Sequence, residues 1–302
     1  MIYVKSRCGL SAASAGCHAP GFSGTLLFDS VDITVYCLAS GSSANALLLV
    51  AGSDALLIDA GLGVRTLKRE LEARGIAPSS LSGVLLTHEH IDHVRGAIPF
   101  ARKYGVPLVG NRATLDALFQ HEQRDAPCRS VATDNEAGIG PFGVRAVAVS
   151  HDAAEPVGYR IAIGDTALAY ATDTGTVTPQ FRDACVGAAL IAVESNHDIH
   201  KLRFGPYPDS LKERILSRWG HLSNNAACDL ILSHTDTHGP ACFWLSHLSE
   251  TNNTPRMAMN YWKKRLRAEG KTTSPAVVEV ALRDRPSLVY RTRSRAVQLA
   301  LF

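Results

Sequence analysis

The sequence predicts an α/β fold built as one domain, and two observations predict it. Short apolar runs of strand length, bounded by glycines, alternate with stretches of helical periodicity along the chain from Ile33 onward. Candidate chemical groups, mostly His and Asp, follow directly after several of those runs, which is where α/β sheets present functional side chains. Composition agrees, since 46% of the 302 residues are hydrophobic and 20% are charged, enough for a sizeable core and unlike a disordered chain.

Three strands are expected first, at 33–38, 46–50 and 55–58. Val64, Leu67 and Leu71 then recur at helical spacing with Gly75 as a stop, predicting a helix over 64–74. A strand at 83–86 precedes a helix at 98–104, a strand at 107–109 and a helix at 112–120. Strands at 144–149, 158–163 and 167–171 follow, then a buried-type strand at 189–193. Helices at 211–219 and 226–232 flank a turn, and 233–240, which carries His234 and His238, reads as a lengthened connection. A strand at 242–245 leads to a basic helix at 255–268 with Pro255 at its first position. Strands at 277–282 and 288–291 read as a closing pair. No linker interrupts the pattern, so 32–302 is taken as a single domain. Residues 1–31 contain Lys5 and Arg7 and no acid before Asp29; without periodicity or a proper apolar targeting core, they read as a disordered or mis-called extension.

Several function classes fall away at this point. The 31 basic residues barely exceed the 28 acidic ones, and a net charge of +3 excludes a broad cationic surface as the main device. The run Lys263, Lys264, Arg265 and Arg267 reads first as a solvated helix face, with nucleic-acid contact as the sharper alternative. No apolar stretch reaches the roughly 18 to 20 residues needed to cross a bilayer. Seven scattered cysteines without CxxC spacing argue against a disulfide framework and a thiolate zinc site, and fit a reducing cytoplasm.

The strand ending at Leu86 runs into His88-Glu89-His90-Ile91-Asp92-His93. In an extended segment His88 and His90 point to one side, while Asp92 and His93 turn onto a helix start and face a second point. Imidazole and carboxylate suit zinc and similar borderline ions, and groups held at strand ends leave open positions for water and substrate. Further donors stand after other strands: His151, Asp173 within Ala171-Thr172-Asp173-Thr174-Gly175, and His247. Singly each reads as an ordinary loop residue; together with the first cluster they read as a metal site.

The order of Asp59-Ala60-Gly61, the HxHxDH string, His151, Asp173 and His247 resembles the metallo-β-lactamase-fold hydrolase superfamily from about Ile33 to the C-terminus. Five further strings are similar to its YycJ-like (WalJ) branch, regarded as bacterial 5′ to 3′ DNA exonucleases: Ser40-Gly41-Ser42-Ser43-Ala44-Asn45, the stretch 151–159, Glu194-Ser195-Asn196-His197-Asp198, Gly220-His221-Leu222-Ser223-Asn224, and the stretch 247–253. The resemblance implies a four-layer αββα metallo-β-lactamase sandwich with two divalent metal ions, zinc or manganese for preference, at one edge. It implies that His88, His90 and His151 hold one metal and Asp92, His93 and His247 the other, with Asp173 bridging. Asp59 would accept a ligand's ring N–H and fix its tautomer. His221 matches a histidine that protonates the leaving group in related RNA-processing members. Two such cations lower the pKa of a bridging water toward neutrality and stabilise phosphodiester charge, making hydroxide the nucleophile. This agrees with the absence of GxSxG and of an activated-cysteine signature.

Ser42, Ser43 and Asn45 are candidate phosphate donors, or simply a tight turn; Asn196, His197, Asn252 and Asn253 are candidate substrate contacts. The short interval between His151 and Asp173 leaves no room for the arm of tRNA 3′-processing nucleases, and that between Asp173 and His247 none for a β-CASP insertion. The HxHxDH string alone admits thioesterases and lactamases, and a non-catalytic metal sensor is a third class. His221 and the asparagine pair favour a nucleic-acid phosphodiesterase acting on DNA.

Overall fold

The computed structural model describes residues 30–295. The first six strands, β1 (Ser30–Gly41), β2 (Ala44–Ala51), β3 (Asp54–Ile58), β4 (Leu81–Leu85), β5 (Leu108–Gly110) and β6 (Cys128–Ser130), lie side by side in chain order in one sheet. The next seven make the second: β7 (Glu136–Ile139), β8 (Phe142–Ala148), β9 (Val157–Ile163), β10 (Thr166–Ala171), β11 (Leu190–Glu194), β12 (Cys242–Ser246) and β13 (Val277–Val280). In both sheets an antiparallel meander gives way to parallel strands, β3 with β4 in the first and β10 with β11 in the second. The last strand, β14 (Val289–Arg295), returns to the first sheet and pairs antiparallel with β1.

Side-chain alternation sorts the residues into layers. Val35, Cys37, Leu47, Leu49 and Ile58 of the first sheet meet Val144, Tyr159, Ile161 and Trp244 of the second in a shared core. The opposite faces are apolar too, which is why β2 reads as a continuous run instead of alternating. Leu48, Leu57 and Val84 pack against α1 (Val64–Glu72), α3 (Ala97–Tyr104) and α4 (Arg112–Leu118) through Leu67, Phe100 and Leu115. Ala169, Ile191 and Phe243 pack against α5 (Pro179–Cys185), α8 (Asn224–His238) and α9 (Pro255–Ala268) through Phe181, Ile231 and Trp262. The result is the expected αββα sandwich.

Three expectations change. Strands 277–282 and 288–291 are not a pair: β13 extends the second sheet beside β12, while β14 closes the first. The segment 233–240 is not a lengthened connection for most of its length, because α8 continues to His238. His234 is buried there, 5.5 Å from the Phe243 ring, facing the core that keeps the helix going. The sequence pattern also misses short edge strands β6 and β7 and helices α2 (Ile91–Val94), α5 and α6 (Ile199–Phe204), while the helix expected at 211–219 is present as α7 (Asp209–Leu216), starting two residues early and ending three residues short. Residues 1–29 lie outside the described residues, and the boundary expected after residue 31 falls inside β1.

Helix α9 buries Ala258, Trp262 and Leu266 against the second sheet. Its Arg265 pairs with Asp229 at 3.1 Å and Glu269 at 3.3 Å. The basic run is thus partly engaged within the fold. Among the described residues no helix is long and apolar enough to cross a membrane. The five described cysteines are free, and burial pushes the thiols of Cys37 and Cys242 up to about 11 and those of Cys185 and Cys228 up to about 12. None of these four is a thiolate at neutral pH, so none is an activated nucleophile.

Candidate metal centre

Strand ends from both sheets converge at one edge of the sandwich. Asp59 follows β3, His88 follows β4, His151 follows β8, Asp173 follows β10, Glu194 ends β11 and His247 follows β12. The single turn α2 presents Asp92 and His93. Donor atoms of His88, His90 and His151 lie within 4.8 Å of one another, as do those of Asp92, His93, Asp173 and His247. A third group, Asp173, Glu194, His221 and His247, meets the same criterion and shares Asp173 and His247 with the second.

The donor chemistry and its loose ends fit a metal. His88 Nε2 and His247 Nε2 are buried without a hydrogen-bond partner, and Asp173 Oδ2 lies between the imidazoles, 2.6 Å from His93 Nε2 and 3.9 Å from His88 Nε2. Leaving such atoms bare costs roughly 1 to 3 kcal/mol each, and a bound cation would remove that cost. The second nitrogens are already committed. His93 Nδ1 is held by Asp59 Oδ2 at 2.7 Å, His247 Nδ1 by Glu194 Oε1 at 2.8 Å, and His151 Nδ1 by the Gly220 carbonyl at 3.1 Å. Fixing one nitrogen sets the tautomer and aims the other inward. Thr87 ties Asp59 down through its backbone N–H at 2.9 Å and its hydroxyl. Asp59→Asn is therefore expected to weaken metal affinity by about 10- to 100-fold, measured by competition with a chelator; unchanged affinity would remove Asp59 from this role.

Electrostatics balance across the cluster. Burial opposes charge on His93 and His247, but Asp59 and Asp173 for the first, and Asp173, Asp92 and Glu194 for the second, raise both to about 10. Burial also works against ionised Asp173, yet His247 and His93 hold it well below the usual carboxylate range. The backbone is strained at the same places: Asp59, Asp173 and His247 adopt left-handed φ of 59°, 51° and 52°, a conformation costing on the order of 1 kcal/mol or more. Gly61 permits a close approach here, since a Cβ would collide with the Asp92 carbonyl and the Asn45 N–H.

Residues 55–247 match the beta-lactamase superfamily domain. The chain belongs to the metallo-β-lactamase superfamily. It is 37% identical over 224 residues to exodeoxyribonuclease YycJ of Bacillus anthracis, covering 73% of this chain and 84% of that one. With exodeoxyribonuclease WalJ of Streptococcus pneumoniae serotype 2 (strain D39 / NCTC 7466) it shares 36% identity over 225 residues, 73% and 83% of the two chains. The metallo-β-lactamase fold protein YhfI from Bacillus subtilis superposes with a TM-score of 0.63 at 19% identity, over 86% of this chain and all of that one. The expected family and its YycJ/WalJ branch are thereby met, and divalent-metal binding fits the His and Asp clusters.

On this metallo-β-lactamase frame the remaining candidates divide. A cleft of about 160 Å³ beside the metal centre is lined by Ser42, Asn196, Tyr207, Arg214, His221 and Ser249 among others. Ser43 is exposed next to Ser42 in the tight β1–β2 turn. Asn45 points inward instead: its amide lies 3.3 Å from Asp92 Oδ2 and 2.9 Å from His93 Nε2, and its carbonyl oxygen accepts from Gly41 N–H. Asn253 is likewise internal, bonded to Asn224 and the Ser195 carbonyl. His197 and Asn252 are buried, with neither polar atom of either side chain partnered, and burial lowers His197 to about 4. Asn45, Asn253, His197 and Asn252 are thus placed away from the cleft surface.

Glu194 is the residue the sequence reading leaves without a role. Fully buried, it accepts from Thr174 N–H at 2.8 Å and Leu222 N–H at 3.0 Å, and its Oε1 lies 2.8 Å from both His221 Nδ1 and His247 Nδ1. Burial works against its charge, but the two histidines lower it to about 2. The available signal is an acid ending an otherwise apolar strand, a position costly for a carboxylate unless paired.

Proposed function

We propose that this chain is a two-metal phosphodiesterase that shortens DNA from its 5′ end in the cytoplasm. The observation that carries the reading is His221. It lines the cleft beside the metal cluster with its side chain 23% exposed, and Glu194 and Asp173 hold its Nδ1 at 2.8 and 3.1 Å, leaving Nε2 free for a substrate oxygen. The YycJ and WalJ relatives, named exodeoxyribonucleases, supply the substrate class.

In this reading His88, His90 and His151 hold one divalent ion, Asp92, His93 and His247 a second, and Asp173 both. Bound there, zinc or manganese would activate water and offset charge on a phosphodiester. Asp59 and Glu194 orient the ligating rings, and Asn45 steadies Asp92 from beneath. His221 hands a proton to the departing oxygen, and Glu194 keeps its ring in position to do so. Ser42, at the cleft wall, would donate to a phosphate oxygen, and Asn196, whose side-chain amide donates to the His247 carbonyl at 3.0 Å, would steady that ligand and present any remaining donor to the cleft.

The test is incubation of purified, metal-loaded protein with 5′- and 3′-end-labelled single- and double-stranded DNA and RNA. Early release of the 5′ label from DNA is expected, with rates falling steeply as salt rises because phosphate contacts displace counterions. Robust β-lactam or thioester hydrolysis with no nuclease activity would refute the reading.

A further inference from the structure

Between β11 and α8 the chain makes an excursion through α6 and α7 and ends in a tight turn, residues 217–221, that carries Trp219 and His221. The turn's backbone is clamped. Ser150 Oγ donates to the Arg218 carbonyl at 2.6 Å, His151 Nδ1 meets the Gly220 carbonyl, and His221 N–H donates to the Ile215 carbonyl at 3.0 Å. Gly175, two residues after Asp173, leaves space for it: a Cβ there would stand 2.6 Å from the Ser217 carbonyl and collide with that of Arg218. Metal-site strand ends thus hold this turn rigid.

On that fixed backbone Trp219 is 50% exposed, whereas the other two tryptophans, Trp244 and Trp262, are 1% and 2% exposed. The Arg218 guanidinium lies 4.6 Å from the Trp219 ring centroid. Arg214 adds a second cation on the same excursion, 2.6 Å from Asp152. A half-exposed indole on a rigid turn, with the Arg218 guanidinium against its ring and two residues from His221, has the chemistry of a stacking platform for single-stranded nucleic acid. Every base offers a π face, the guanidinium supports stacking, and the cations meet phosphate.

We propose that Trp219 is a positioning residue on which a nucleobase of the substrate's unpaired end stacks, holding the neighbouring phosphodiester at the metal centre. This rests on the phosphodiesterase reading, and the Arg218 guanidinium beside the indole favours a polyanion over an apolar protein partner.

Because the other tryptophans are buried, a change in indole emission on adding ligand reports on Trp219. Titrating the metal-loaded protein, at early times or with a non-hydrolysable phosphorothioate, with a single-stranded oligodeoxynucleotide is expected to quench emission saturably. Trp219→Ala should abolish the quench and raise both the dissociation constant and KM roughly tenfold or more, with a smaller change in kcat, and Trp219→Tyr should recover most of the affinity. An oligonucleotide that is cleaved without changing the emission, or a Trp219→Ala protein with wild-type KM, overturns the platform and assigns the exposed indole to a protein partner. Quenching without cleavage of any nucleic acid would sustain the platform while removing the nuclease reading; neither quenching nor cleavage removes both.

Discussion

Asp173→Asn is expected to lose bound metal and to lower hydrolysis by about 1,000-fold or more, because the activated water goes with the cations. Asparagine is the sharper substitution than alanine. It tolerates the left-handed φ of 51° at this position and preserves side-chain shape, so the principal change is the missing charge. Asp173 lies against His93, His247 and His221, and in the proposed scheme it offsets the repulsion between two nearby cations. Elemental analysis beside a melting curve checks this: a folded protein retaining two metals per chain would remove Asp173 from the bridging role.

His221→Ala should behave differently. Metal content is expected to stay at the wild-type level while the chemical step slows by about 100- to 10,000-fold, the usual worth of a positioned proton donor. The result is diagnostic because His221 also falls within the third donor group, with Asp173, Glu194 and His247. Metal depletion in His221→Ala like that in Asp173→Asn would make His221 a ligand and reassign His247. Glu194→Gln offers an internal comparison: it touches both histidines, so it should impair metal retention through His247 and rate through His221 together.

The parts legible in the sequence are those that chemistry restricts. Few side chains ligate a divalent metal, and placing them after buried strands gives His88, His90, His151, Asp173 and His247 a recognisable order. The structure brings that set together. Sheet membership is not legible, because β13 and β14 present similar short runs and only long-range pairing separates them. Asn45 and Asn253 look like substrate contacts because amides serve either purpose. Their inward orientation follows from which backbone groups need partners in the folded state, a three-dimensional question. Glu194 is hidden for the same reason: its partners at residues 174, 221, 222 and 247 are distant in sequence.

The pairing of β14 with β1 sets the order in which the molecule can be completed. β1 is twelve residues long, and among the described residues its outer edge is covered by 282–288, which bond to Cys37 and Ser40, and by β14, which begins at Val289. During synthesis the first sheet therefore waits, with an open edge, until almost the whole described chain has emerged from the ribosome. Such an edge is a template for pairing with the same segment of another nascent chain. β1 itself carries Asp32 and Thr34 among its apolar residues, and a charge within an open edge discourages that pairing. Completion of the first sheet thus depends on residues 282–295, and a chain truncated before Leu282 is expected to expose the β1 edge and to aggregate more readily than the full chain.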